Sequence, residues 1–371
     1  MSDPAVLATE AQGSTRQHFQ VLDGLRGTAA LLVVAFHIQG ITVLFAPDRL
    51  LLPHAYLAVD FFFALSGFVV GYAYDDRWGR MSVRDFLVRR LVRLHPLVVL
   101  GAILGLLSYL LDPFAGDRQR ASGMLVALAF VAGLLALPSG PLPNRLGDSH
   151  PLNAPAWTLF QEYIANLAYA LVLRRLRLPW LVGSTAIAAL VSAATALTLG
   201  SYDTGWGLTN FWGASVRLAY PFLAGLLLYR LGERLPRVRL GFGGLSLILL
   251  AVFAAPVLPE AGGVKWNGVY QAACVLFLFP TILMLGRHSD GGRVTQALCR
   301  AAGRLSYPLY ITHYPFVYVY MNWVASEPAS GGMTAMVAVS LYLFTIAFAM
   351  IALRVWDRPI RRFLARRDGA A

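Results

Sequence analysis

The chain has 371 residues, 57% of them hydrophobic and 13% charged, with a mean hydropathy of +0.60; this excludes a water-soluble globule, in which about a quarter of residues carry charge. The net charge is +12 and the pI near 10.0, but the basic residues are spaced between apolar runs, which excludes a nucleic-acid-binding domain with an exposed basic face. Two cysteines, Cys274 in an apolar run and Cys299 in a polar connection, exclude a disulfide framework and a Cys-x-x-Cys metal site.

Residues 1–19 are polar and read as a disordered tail, with no short apolar region and cleavage site ahead of the first long helix. From there to residue 363 the chain reads as a single integral-membrane domain, and 364–371 as a short tail. Apolar runs of bilayer-crossing length fall near 22–45, 56–74, 94–111, 121–138, 155–173, 181–199, 214–231, 241–257, 267–285, 305–325 and 333–353. An odd number of crossings puts the termini on opposite sides. However, the connection 75–93 and the segment after 353 each carry six arginines, and the positive-inside rule places both in the cytoplasm.

Parity is restored if 121–138, bounded by glycines and prolines, is re-entrant or peripheral. The expectation is then an all-α polytopic bundle of about ten transmembrane helices, with one further apolar segment and both termini cytoplasmic. In that arrangement 23 of the 31 basic residues lie in inner connections and five in outer ones. No internal repeat or low-complexity segment is visible.

Ionisable groups inside spans cost at least about 2.5–3.5 kcal/mol on insertion scales and are functional candidates by default. In "LDGLRGTAALLVVAFH" Arg26 and His37 are eleven positions apart. Eleven steps of about 100° bring them onto one helix stripe, about 16 Å apart. His37 lies deep in its span, where the alternative is a neutral histidine bonded between helices. Arg26 sits at the cytoplasmic mouth, where the alternative is a snorkelling arginine paired with Asp23.

"RRLVRLHP" sets Arg90 and Arg93 at i,i+3 before the third span, able to present two guanidinium forks to one anion or simply to mark the inner side. "NAPAWTLFQEY" buries Glu162 about two turns into its helix, with a structural salt bridge as the competing role. "GRLSYPLYITHYPF" places His313 in a span interrupted by Pro308 and Pro315, and broken membrane helices are tolerated where they line a cavity. Asp60 and Ser66 in "VDFFFALSGF" are weaker candidates, since Ser66-Gly67 serves equally for close helix packing.

Histidine suits proton transfer near neutral pH, and without an HExxH or His-Cys-Cys grouping the site residues contain no metal set. A histidine base served by arginines at the cytoplasmic mouth fits a hydroxyl attacking an activated acyl donor with phosphates.

These stretches resemble the acyltransferase-3 family of integral-membrane acyltransferases. The Arg-x10-His of Arg26 and His37 matches its signature, followed in order by "VDFFFALSGFVVG", "RRLVRLHP", "PAWTLFQEY", "LSYPLYITHYPF" and a closing "VWDRPIRR". The resemblance runs from Leu22 to Arg362. It departs at Thr158, where the family usually has serine, and at Phe160-Gln161, which leave Glu162 as a single acid.

The resemblance implies acyl transfer, most often of acetyl, from cytoplasmic acyl-CoA to a hydroxyl of a cell-envelope glycan or lipid-linked saccharide. The setting is a bacterial-type inner membrane, so the partners are the lipid bilayer, the donor and the hydroxyl acceptor. It implies catalytic roles for His37 and Arg26, with Glu162 and His313 as further members, and donor binding by Arg90 and Arg93. A transporter or flippase of a lipid-linked sugar also shows ten spans, broken helices and buried histidines, and is the competing class.

Overall fold

The computed structural model describes residues 19–116, 121–234, 238–289, 291–326 and 330–367, and the chain is 75% helical. Of the expected tail at 1–19, residues 1–18 lie outside the described residues, as do 368–371 at the other end; Phe19 does not belong to a tail, since its ring packs edge-on against Phe68 and Tyr72. Helices α1 (Gln20–Thr42), α2 (Ala58–Tyr74) and α3 (Val83–Leu110) are followed by the short α4 (Gly123–Leu134). Then come α5 (Ala156–Leu171), α6 (Leu178–Leu199), α7 (Trp212–Leu231) and α8 (Phe242–Ala254).

A small antiparallel hairpin, β1 (Glu260–Ala261) and β2 (Val264–Lys265), leads into α9 (Trp266–Ala273), which runs through a π turn at Cys274–Leu278 into α10 (Phe279–Arg287). The last elements are α11 (Arg293–Thr312), α12 (Tyr314–Ser326), α13 (Gly331–Ala352), a second π turn at Leu353–Asp357 and α14 (Arg358–Arg367). The helix α14 passes through the expected boundary at 363/364 without a break.

Among the described residues, six helical segments are long and apolar enough to cross a membrane, which makes this an integral membrane protein. They contain α1, α2, α3, α6, the α9–α10 rod, and α13 with its extension. The apolar window of α2 is 72% buried inside the protein and that of α13 only 17%, so α2 is central and α13 turns most of its surface to lipid. Two pairings organise the centre. α1 lies along α11, and α2 lies along α7. At the second crossing Gly67 and Gly225 bring the backbones together: a Cβ on Gly67 would lie 2.0 Å from Phe222 O, and one on Gly225 2.0 Å from Ala64 O. That is the close-packing role of small residues.

Several expected spans have different limits, for local reasons. The third helix begins at Val83 because Ser82 and Asp85 form a reciprocal capping box, so Arg90 and Arg93 lie within α3 rather than just before it. The run 241–257 yields only thirteen helical residues, because Ala255 precedes Pro256 and adopts an extended conformation. The run 121–138 yields the twelve-residue α4, about 18 Å long against a hydrocarbon core of about 30 Å. Only Val126 and Ala129 of α4 are buried, and it rests against α3.

The run 305–325 is two helices that part at His313. Pro315 has no N–H for the Ile311 carbonyl, and Asn153 Nδ2 donates to that oxygen instead at 2.9 Å.

Connections gather at two ends. At one end Arg230 binds Asp75 at 2.7 Å and the Leu173 and Leu176 carbonyls at 3.1 Å. At the other, His54 N donates to Phe253 O, Tyr56 meets Ser201, and Asn267 donates to Gly200 O.

Candidate active site

A cavity of about 930 Å³ opens at the end that carries the start of α1 and is walled by α1, α2, α3, α5, α11 and α14. Its lining follows α2 from Tyr72 to Val59, about 20 Å of helix. It stops at a deep end formed by Val59, Thr158 and Tyr310. Thr158 and Tyr310 close that end with a 3.2 Å hydroxyl–hydroxyl bond, and the Tyr310 ring meets Phe62 edge-on at 5.5 Å.

Four of the six principal residues singled out from the sequence line this cavity, Arg26, Arg90, Arg93 and Glu162, and so does the weaker candidate Ser66. Arg26 is held in place, with Nε donating to Ser306 Oγ and one terminal nitrogen donating to Gly303 O, both at 2.8 Å; it also pairs with Asp23 at 3.2 Å. Arg90, only 3% exposed, pairs with Glu162 at 2.5 Å. Ser66 donates to the same carboxylate oxygen at 3.1 Å. The salt bridge weighed for Glu162 is therefore present, on the cavity wall. Arg93 also lines the cavity and makes no hydrogen bond among the described residues, so its fork is uncommitted.

The other two, His37 and His313, are outside the lining and bonded to each other. His37 Nδ1 and His313 Nε2 are 2.9 Å apart, with the rings 12° from parallel. The break in the helix after Thr312 lets the His313 ring turn back on its own backbone, where Nδ1 lies 3.1 Å from Leu309 O and 2.9 Å from Tyr310 O. Carbonyl oxygens only accept, so His313 Nδ1 carries a proton. Its neutral Nε2 then accepts from His37 Nδ1–H, leaving His37 Nε2 with the free lone pair. Tyr314 packs edge-on against His37 at 4.9 Å. The pair is one helical turn beyond Tyr310 and the deep end of the cavity.

The profile of an acyltransferase domain, that of the acyltransferase-3 family, matches residues 19–354. The chain belongs to the acyltransferase-3 family. It is also 37% identical over 167 residues to "Protein 2 in picA locus" of Rhizobium radiobacter, a match spanning 42% of this chain and 83% of the relative. No solved structure matches it.

As an acyltransferase-3 protein the chain transfers acyl groups, and the arrangement suits that chemistry: a cationic shaft leads towards a partly buried imidazole, His37, that has a free lone pair and is backed by the fully buried His313. Two features of this acyltransferase go beyond the reading of its sequence, in which Asp60 is only a weaker candidate without a partner and Arg217 and Tyr310 are not singled out. Asp60 and Arg217 form a buried bidentate pair at 3.2 and 2.6 Å, with Arg217 also donating to Thr204 O and Tyr56 O. Each is a lone charge in an apolar run, and that was the available signal: an arginine in a span requires an acid in another. Tyr310 at the cavity end carries no such signal, being one of 16 tyrosines.

Proposed function

We propose that this acyltransferase moves an acyl group, most simply acetyl, from cytoplasmic acyl-CoA to a hydroxyl of a cell-envelope glycan or lipid-linked saccharide. The observation that carries the reading is the cavity: arginines at its mouth, and an end one helical turn short of the His37–His313 pair. In this reading the donor enters by its thioester end, with Arg93 and the anchored Arg26 and Arg90 beside its phosphates. Tyr310 and Thr158 part to admit the thioester.

His37 Nε2 accepts the proton of the acceptor hydroxyl as the oxygen attacks the acyl carbon. The carbon–sulfur bond breaks, and the proton passes from His37 to the leaving thiolate, so the imidazole ends as it began. His313 holds His37 in the tautomer this requires.

The proposal includes an orientation: ten crossings, α4 not crossing, both termini cytoplasmic, in a bacterial-type inner membrane. The arginine asymmetry supports it, as do the two sets of connections. Purified protein in detergent should release CoA from acetyl-CoA in the presence of envelope glycan and transfer acetyl to it. Wild-type protein that binds acetyl-CoA but moves no acyl group to any hydroxyl acceptor would defeat the proposal.

A further inference from the structure

The cavity arginines singled out from the sequence have little charge to spare. Arg26 is matched by Asp23 and Arg90 by Glu162, which leaves Arg93. Acyl-CoA brings a diphosphate and, at its far end, a 3′-phosphomonoester that alone carries about −1.5 to −2 charges. The unmatched positive charge lies instead at the rim of the cavity, on two helices far apart in sequence. Arg300 and Arg304 are one turn apart on α11, and Arg358 and Arg362 one turn apart on α14; all four line the cavity.

The i,i+4 spacing puts each pair on one helix face. The neighbouring acid, Asp357, is taken by Arg361 at 2.7 Å, and among the described residues none of the four rim arginines makes an ion pair. Arg304 Nε donates to Arg300 O at 3.0 Å, which fixes its stem while its terminal nitrogens stay available.

We infer that Arg300 and Arg304 of α11, with Arg358 and Arg362 of α14, form a separate rim subsite for the 3′-phosphomonoester of the donor nucleotide. This rests on the acyl-CoA reading above. Geometry and chemistry agree on the assignment: the nucleotide is the part of CoA farthest from the thioester, and these arginines line the end of the cavity that opens beside the start of α1, away from the histidine pair. Two planar forks from each helix can surround a tetrahedral dianion, which a single fork cannot. Segments 293–304 and 358–362 therefore contribute to donor recognition as well as to the positive-inside bias. The enzyme then distinguishes CoA thioesters from thioesters that lack the 3′-phosphate.

Equilibrium binding of CoA and of 3′-dephospho-CoA to the purified full-length protein in detergent tests this directly. Wild type should prefer CoA by about tenfold or more, the scale of charge-assisted contacts to one phosphate. The double variants Arg300→Gln/Arg304→Gln and Arg358→Gln/Arg362→Gln should each cut that preference at least threefold. Both should bind 3′-dephospho-CoA as wild type does, which also shows that they are folded.

Equal wild-type affinity for the two nucleotides overturns the subsite, as does a preference that survives both double variants. So does competition for the rim by phosphatidylglycerol micelles with no 3′-phosphate preference, which would make it a lipid headgroup site. A wild-type protein that binds neither nucleotide overturns the acyl-CoA reading itself.

Discussion

Single atoms decide what His37 can do. His313 spends one ring nitrogen on the carbonyls of its own broken helix and the other on His37, so the proton positions of both rings follow from two backbone oxygens. Replacing His37 with Gln keeps a hydrogen-bonding side chain but not the base, and turnover should fall about 10²–10⁴-fold. His313→Phe leaves the base but frees its tautomer; a smaller loss of about 10–100-fold is expected, as for other orienting partners, with donor KM unchanged. Similar turnover in both variants would refute this division of roles.

The Asp60–Arg217 pair is structural in the same terms. Asp60→Asn leaves a buried guanidinium unmatched and should cost about 3–5 kcal/mol, whereas Asp60→Leu with Arg217→Leu should recover much of it; thermal unfolding in detergent would measure both. In the connection before α5, burial pushes Asp148 up from 3.8 to about 7, opposed by a hydrogen bond from Tyr318 and by nearby Arg145. The native carboxyl thus keeps a proton that the unfolded one has lost, so stability should fall as pH rises from about 4 to 7. Asp148→Asn should flatten that limb of a melting-temperature profile.

Helices and their junctions explain which parts of this architecture were legible. Arg26, Arg90, Arg93 and Glu162 stand out because charge inside an apolar run is costly wherever it falls. Their convergence on one cavity needed only that the runs pack as a bundle. The contact between His37 and His313, 276 positions apart, needed the α1–α11 pairing, which no local pattern encodes. Start and stop signals behaved similarly: Ser82 with Asp85 and Ala255 with Pro256 are local chemistry, but they act on helix limits that an apolar window blurs.

The crossing of α2 and α7 offers a test at this scale. Gly67→Val must push Phe222 O away and separate the helices, with an overpacking cost of about 1–3 kcal/mol. Gly183→Val, on α6 with nothing within 4 Å of the added carbon, should leave the melting temperature unchanged. Equal effects from the two would show that the crossing is not tightly packed.

For the molecule as a whole, the arrangement of charge predicts an orientation. With the arginine-rich end in the cytoplasm, a cysteine introduced at Ser139 should react with an impermeant reagent added outside cells, and one at Arg175 should not; the reverse pattern would invert the bundle. The shaft also has a consequence for the membrane that holds it. A wide entrance, ringed by arginines but with mostly apolar walls, runs about two-thirds of the way through the hydrocarbon thickness, yet it is a dead end, shut by Tyr310, Thr158 and Phe62. A cavity that ends blind inside the bundle gives no continuous water column, so it does not discharge the ion gradients on either side of the membrane. Vesicles containing the purified protein should hold a proton gradient as long as empty ones do, while Tyr310→Ala with Thr158→Ala, which removes the stopper, should make them leak.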